Sequence, residues 1–490
     1  MEPTMVGWAG STCRKPARHR FLFDGLVTAF ACMATLLWAD HAFAQAATDQ
    51  TGFWQRSNLL GDMGGLRPWL GQYGITFGLQ ETSEALGNFT GGIQQGPVYD
   101  GLTQMGLGLD TQKAFGWQGG TFNASALQIH GGQLTLQNLL SLDTASGNEA
   151  DRATRLWEIW YQQTFLHGTA DVKIGQQSVD QEFMLSQYAG LFINSTMGFP
   201  EAPTADMIGG GPQYPLSALG VRLRLKPTDN LTLLASVFDD NPAGPGTTPV
   251  GNLNPQLLNP SGTNFRLNDR PLFIGELQYA INQPSPDTTQ ANHQATGLPG
   301  TYKLGMWYDL GSFADQQFDS NGVPLASPAS NGNPLLHSGD YGIYAVMDQM
   351  IWRPDPASPR NLGFFVVAAG SPLENRNLVD VGFITGLTLT DPLPGRDNDT
   401  AGIGFGYTKL SSGAMAFDRD TAFFTGAPFP VRSSEEFLEL TYQFQVAPWW
   451  QLQADFQYTF NPGGGILDPL DPSKLVGSEA VLGLRTTFTF

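Results

Sequence analysis

Residues 437–460 constrain this chain most, because they run as two alternating stripes separated by a three-residue break. In the first stripe Leu438, Leu440, Tyr442, Phe444 and Val446 share one face, and Glu439, Thr441, Gln443 and Gln445 share the other. In the second, Trp450, Leu452, Ala454, Phe456, Tyr458 and Phe460 oppose Gln451, Gln453, Asp455, Gln457 and Thr459. A period of two means β-strand, since successive side chains point to opposite faces. A stripe of about ten residues crosses a bilayer when tilted. The last residues repeat the pattern: Leu482, Leu484, Thr486, Phe488 and Phe490 against Gly483, Arg485, Thr487 and Thr489. The chain ends on Phe490, an aromatic suited to an interfacial girdle. Alternation alone does not say which face is wet, and a soluble sandwich shows the same stripes with its apolar face inward.

Loop length separates the two readings. Sixteen strand candidates fall at 75–82, 104–115, 121–131, 154–165, 169–175, 216–226, 231–239, 271–281, 301–311, 341–353, 361–370, 379–389, 400–409, 436–446, 450–460 and 479–490. Short links at 116–120, 166–168, 227–230, 354–360 and 447–449 alternate with long ones at 132–153, 176–215, 240–270, 312–340, 410–435 and 461–478. Bacterial outer-membrane barrels have an even strand number, short periplasmic turns and long outer loops. A sandwich has no reason to sort loop length by parity. The alternation weakens at 282–300, long where a turn is expected, and at 371–378, short where a loop is expected. The expected fold is all-β: a single 16-stranded antiparallel transmembrane β-barrel at 75–490, in a Gram-negative outer membrane.

Composition agrees. Charged residues make up 14% of the chain, against about a quarter in soluble proteins. The mean hydropathy of −0.17 nevertheless excludes a helical membrane protein, and a barrel with a polar lumen gives such an intermediate value. Residues 1–44 read as a signal peptide: Arg14, Lys15, Arg18 and Arg20, an apolar run from Leu26 to Leu37, then Ala42-Phe43-Ala44 before Gln45. Both cysteines, Cys13 and Cys32, lie in that leader, so no disulfide framework is expected beyond it. Setting aside the leader's four basic and three acidic residues leaves 21 basic against 41 acidic, which argues against nucleic acid as a partner. Residues 45–74 read as a periplasmic segment with a short helix containing Pro68.

The loop at 176–215 carries the first functional signal. Its Phe183, Met184, Leu185, Tyr188, Leu191, Phe192 and Ile193 must be buried somewhere, and folding into the lumen does that while narrowing the pore. Packing on the rim or on a neighbouring subunit is the alternative. The next strand puts Leu219, Val221, Leu223 and Leu225 on one face and Arg222, Arg224 and Lys226 on the other. Basic side chains facing lipid would each cost about 2–4 kcal/mol near the midplane, so they face the bore. The expected constriction sets Arg222 and Arg224 against Asp180 and Glu182 of the loop, with pairing to wall carboxylates such as Glu158 as the plainer alternative. Trp157, Tyr161, Trp352, Trp450 and Tyr458 suit interfacial girdles, while Tyr188, Phe192 and Trp160 are candidates to face solutes. His130, His167, His293 and His337 show no metal-ligand spacing, and no catalytic elbow or phosphate loop is present, so neither enzyme activity, metal nor cofactor is expected.

Several stretches resemble the carbohydrate-selective porin family of the OprB type. They are Leu59-Leu-Gly-Asp-Met-Gly-Gly-Leu-Arg-Pro-Trp-Leu, Tyr214-Pro-Leu-Ser-Ala-Leu-Gly-Val-Arg and Asp348-Gln-Met-Ile-Trp-Arg. Asn375-Arg-Asn-Leu-Val-Asp, Pro392-Leu-Pro-Gly-Arg-Asp, and Glu439 through Trp450 on to Asn461-Pro-Gly-Gly complete the set. Ala454 departs from the pattern, where a proline is expected. The resemblance implies a sixteen-stranded channel passing small neutral saccharides by diffusion, as a monomer or a trimer among outer-membrane lipid. A general or anion-preferring porin of the same fold is the rival, and a non-transport barrel, adhesin or hydrolase, stands behind it.

Overall fold

The computed structural model describes residues 52–244, 254–283, 297–356 and 358–490. The expected signal peptide, the start of the segment at 45–74 and the middle of the links at 240–270 and 282–300 lie outside the described residues. Sixteen strands close into one antiparallel barrel. They are β1 Ile75–Gly92, β2 Gly96–Asp110, β3 Gly120–Gly131, β4 Ala153–Phe165, β5 Ala170–Gln177, β6 Ala218–Leu225, β7 Leu231–Asp239 and β8 Pro271–Ile281. There follow β9 Gly300–Asp319, β10 Pro334–Trp352, β11 Asn361–Gly370, β12 Val379–Thr390, β13 Thr400–Leu410, β14 Ser434–Ala447, β15 Trp450–Phe460 and β16 Gly477–Thr489. Each strand pairs with its sequence neighbours, and β16 closes onto β1 with Gln80 opposite Thr489 and Glu84 opposite Arg485. Closure removes every sheet edge, which is what allows strands to cross a bilayer.

All sixteen expected strands are present, but four run longer. β1 and β2 continue to a tight turn at 93–95, and β9 and β10 extend through most of the stretch expected as a loop at 312–340. These extensions rise beyond the bilayer, where neither face has to be apolar, so the period-two signal fades although the ladder continues. The second strand instead ends early, at Asp110, whose carboxylate accepts the backbone N–H of Gln112 and Lys113 and starts a short helix. The outer loops add a helix, Ser412–Thr425, and a small hairpin of Leu467–Asp468 with Asp471–Leu475.

The polarity assignment holds at the closing strands. Leu440, Phe444 and Leu484 are exposed on the outside, while Glu439, Gln453 and Gln457 are buried within. It fails over one arc of the interior. Leu234, Leu272, Ile274, Trp307, Tyr344, Val346, Phe365, Val367 and Phe437 all point inward from β7 to β14 and form a buried apolar cluster with loop residues.

The N-terminal segment docks on the end of the barrel where the 447–449 turn and Thr489 lie. Leu59 N–H donates to Thr489 O (2.8 Å), and Trp449 Nε1 donates to Phe53 O (3.0 Å). Trp54 stacks on Trp449 at 5.9 Å, and Arg67, from the helix Leu66–Gln72, lies over Phe77 and donates to the carbonyls of Phe77 and Phe490. Trp449 is 4% exposed, so Trp449→Ala should cost about 3 kcal/mol, the low end for emptying such a site. The expected result is a lower temperature for loss of the compact band on unheated gels, with faster proteolysis near residues 52–58. An unchanged transition would mean the segment adds nothing to the barrel.

Candidate functional site

Residues 178–217, between β5 and β6, turn inward and cross the lumen. Wall carboxylates hold the backbone along the way. Glu158 on β4 accepts Ser178 N–H (2.9 Å), Glu276 on β8 accepts Met184 N–H (2.9 Å), and Asp348 on β10 accepts Gln187 N–H (3.0 Å). Glu439 on β14 accepts Ile193 N–H (2.5 Å) and Asn194 N–H (3.3 Å). On the return, Asp206 of the loop accepts Leu378 and Val379 N–H (2.9 and 3.2 Å). An irregular backbone inside a barrel leaves amides without ladder partners, and the carboxyl oxygens of the wall and loop accept from them. Between these points Val179, Phe183, Met184, Ala189, Phe192, Met197, Phe199 and Met207 pack on the apolar arc. That arc exists because the loop covers it.

A second loop, 132–152, also folds in. Glu435 accepts Leu142 and Asp143 N–H, both at 2.8 Å, and Gln457 donates to Ala145 O (2.8 Å). Leu134, Leu139 and Ala145 pack against Leu86, Ile193 and Val481. Its length alone did not distinguish it from an ordinary outer loop.

Of the residues expected at a constriction, the structure brings Arg222, Arg224 and Glu182 together. Arg222 meets Glu182 twice, through Nη2 (2.9 Å) and Nε (2.5 Å), and also binds Asp171 and Gln162. Arg224 binds Asp171 at 2.5 Å, and Lys173 pairs with Glu182 while lying 4.7 Å over the Trp160 ring. Burial pulls the Glu182 carboxyl upward, but Lys173 and Arg222 outweigh it and hold it at about 2.

Asp180 does not face the arginines. Its oxygens accept from Ser178 Oγ (2.5 Å), Gln181 Nε2 (3.3 Å) and Tyr214 N–H (2.9 Å), so it ties the two ends of the loop together. Burial pushes its carboxyl up, against those hydrogen bonds. Glu158 is likewise occupied by Ser178 N–H and Trp160 Nε1 (3.2 Å). The wall partner of the arginines is Asp171, which sequence reasoning missed. The signal was present, because Ala170-Asp-Val-Lys-Ile alternates and puts Asp171 and Lys173 beside the basic strand.

Phe192 does not face solute either. It is 5% exposed, tilted on Phe365 at 5.6 Å, and would collide with a Cβ on Gly402 or Gly404. Those two glycines leave a smooth trough that admits the ring. Trp157, expected in a girdle, is buried and lines the lumen, because an irregularity in the pairing of β3 with β4 turns it inward.

Two open volumes remain below the loops, with Gln104 on both. The first, about 600 Å³, is bounded by Lys173, Glu182, Arg222, Arg224, Lys226 and Trp160. The second, about 700 Å³, is lined by Gln80, Gln443, Gln451, Thr388, Thr487 and Tyr188. One wall is charged and aromatic, with four cations around Glu182 and with Asp171 buried behind them, and the other is mainly amide and hydroxyl, with Arg485, Trp449 and Leu191 among them.

A closed barrel embedded by its apolar outside, with a lumen narrowed by inward loops and lined with groups that hydrogen-bond, defines an outer-membrane porin. Its form is that of a channel rather than an enzyme. A family model described as "Carbohydrate-selective porin, OprB family" matches residues 94–490. The chain belongs to that family, and it is a sugar porin of the Gram-negative outer membrane. It is 24% identical over 440 residues to Porin B of Pseudomonas aeruginosa, covering 86% of this chain and 89% of that protein. It is also 24% identical to the putative porin QuiX of Acinetobacter baylyi, over 84% of this chain and 90% of that one. The high-pH structure of Pseudomonas putida OprB shares the fold with a TM-score of 0.76 at 22% identity, covering 90% of this chain and all of the other.

Proposed function

We propose that small neutral saccharides diffuse past two unlike walls at the level of the inward loop. On one side, Arg224 and Glu182 offer charge-assisted partners to sugar hydroxyls, buried Arg222 holds Glu182 in place from behind, and Trp160 offers a flat apolar surface to the ring. Across the bore, Gln80, Gln443, Gln451 and Thr487 exchange hydrogen bonds with the same hydroxyls, and Tyr188 lies among them. The observation that carries this reading is the wall of amides and hydroxyls, whose one cation, Arg485, is paired with buried Glu84, so that a polyol finds many weak, replaceable partners there. Weak binding is required, since a solute held tightly would not leave. Assembly as a monomer or as a trimer leaves the path unchanged, because each bore is closed within one chain.

Swelling of reconstituted liposomes tests it. Rates should fall steeply from monosaccharide to trisaccharide. Gln443→Leu combined with Gln451→Leu should slow sugar entry about fivefold, with two hydrogen bonds worth about 0.5 kcal/mol each removed, while potassium chloride conductance barely moves. An equal loss of both would mean the wall contributes only width. The anion-preferring reading is favoured by the excess of cations on the first wall. Under it, a salt gradient across a planar bilayer would give strong anion selectivity and the glutamine variants would leave all fluxes alone.

A further inference from the structure

We infer that residues 52–74 are an interfacial anchor, with the exposed stripe of the helix Leu66–Gln72 lying in the phosphate-and-glycerol layer of the adjoining phospholipid leaflet. This surface is outside the barrel, off the path of solute. The seat of the helix fixes which medium meets it. Thr82 and Glu84 are buried within the barrel, so Phe77, an odd number of residues away on β1, points out toward lipid. Arg67 of the helix lies 4.6 Å over the Phe77 ring and donates to Phe77 O (3.0 Å) and to Phe490 O. The helix therefore sits on the perimeter of the wall and not beneath its mouth. Leu66, Trp69 and Tyr73, spaced i, i+3 and i+7, make one stripe and are 42%, 53% and 52% exposed. Tyr73 ends the helix, and its ring meets that of Trp69 edge-on at 5.4 Å.

Among the described residues no side chain buries this stripe, and continuity with the lipid-facing wall names what does. Gly74 O accepts Asp110 N–H (2.8 Å), which sets Tyr73 beside the link after β2 that carries exposed Trp117. Trp117 Nε1 donates to Gln163 Oε1 (2.9 Å), and the Tyr161 hydroxyl donates to the same oxygen (2.5 Å). Gln162 faces in to Arg222, so Tyr161 and Gln163 on either side of it face out. The stripe thus joins a rim of Trp and Tyr rings whose polar tips suit the boundary between acyl chains and headgroups. Strand residues of that rim are placed by the ladder. The helix is not, and at seven residues it has little stability of its own in water. Laid in the interface, its apolar face is covered and its position is held. Trp54 of the same segment stacks on Trp449, which lines the second open volume, so the anchor links the leaflet to the lumen wall.

Nitroxide labels on single cysteines test this in vesicles of phosphatidylethanolamine and phosphatidylglycerol, since residues 45–490 contain no cysteine. Collisions with oxygen, which partitions among acyl chains, are compared with collisions with a water-soluble nickel chelate. Leu304→Cys on the lipid-facing wall and Ala329→Cys on the exposed link between β9 and β10 supply the two extremes. Labels at Trp69→Cys and Tyr73→Cys should fall between them, and Gln72→Cys, off the stripe, should fall closer to Ala329→Cys. Should a label disturb the fold, the unlabelled chain gives a second reading. Phospholipid brominated near the headgroup should quench its tryptophan emission, and Trp69→Phe, which keeps a ring in place, should remove part of that quenching. Collision values at 69 and 73 that match Ala329→Cys would put the stripe in water, and values that match Leu304→Cys would sink it among acyl chains. Few collisions with either reagent would mean that protein covers it. Any of these, or quenching that Trp69→Phe leaves unchanged, would overturn the proposal.

Discussion

Replacing Arg222 and Arg224 together with alanine should raise single-channel conductance and shift the reversal potential toward cations. Arg222 is 2% exposed and sits between Asp171, fully buried on the wall, and Glu182 on the loop. Removing one partner of a buried pair costs about 3–5 kcal/mol, because the other charge is left without compensation. Here Lys173 still reaches Glu182, but losing Arg224 also strips Asp171 of its second cation. The segment around residues 180–187 therefore loses its tie to β6 and keeps only Lys173 on β5, and the bore widens. The wall changes from four cations and two carboxylates to two of each, which sets the direction of selectivity.

An effect of pH follows from the same group. Glu182 is held at about 2 by Lys173 and Arg222 against burial, below its unfolded value of about 4.3. A depressed carboxylate contributes stability that is present above the unfolded value and is lost as pH falls through the folded one. The native clamp thus persists to near pH 2. With Arg222 gone the folded pKa rises, so current noise in the variant should grow at milder acidity than in the native channel. Conductance and reversal potential that match the native channel, at neutral pH and at pH 4, would reject a constriction built on these arginines.

The strands were legible because a bilayer imposes one rule on every outward position. Leu438, Leu440, Phe444, Leu482 and Leu484 could be assigned without knowing their neighbours. The rule stops where lipid stops, so the upper halves of β1, β2, β9 and β10 carried no pattern. The interior obeys no such rule. Trp307, Tyr344 and Phe365 face inward because the loop at 178–217 covers them, and a strand such as Gly305-Met-Trp-Tyr-Asp-Leu reads the same whether its second face meets lipid or a loop. Loop carboxylates were ambiguous for a related reason. Asp180 and Glu182 are two residues apart and equally acidic, yet one caps the loop's own amides while the other meets Arg222. Glu276, Asp348 and Glu439 could be placed on the polar face from sequence, but their task became visible only once the loop amides lay against them.

Phe192→Ala separates a clamp from a solute contact. As a platform for sugar, Phe192 would lose an apolar surface on truncation, slowing sugar while leaving the pore's dimensions and ion current alone. Seated as it is, 5% exposed against Phe365 and Met197 in the trough left by Gly402 and Gly404, it fastens the middle of the inward loop to β11 and β13. Emptying such a site costs about 3–5 kcal/mol in lost contact and cavity. Global unfolding would be little affected, because the barrel's closed ladder does not depend on the ring. The cost falls on the seated state of the loop, and an equilibrium weakened by 3 kcal/mol shifts more than a hundredfold toward unseated forms. Single-channel recordings should therefore show frequent excursions to a higher conductance, and liposomes should admit trisaccharides that the native channel slows. Gly404→Val should reproduce both effects from the opposite side, since its Cβ would meet Met197 at 2.5 Å and Phe192 at 2.9 Å. Steady native conductance with only a change in sugar rate would return Phe192 to the solute path and remove the clamp.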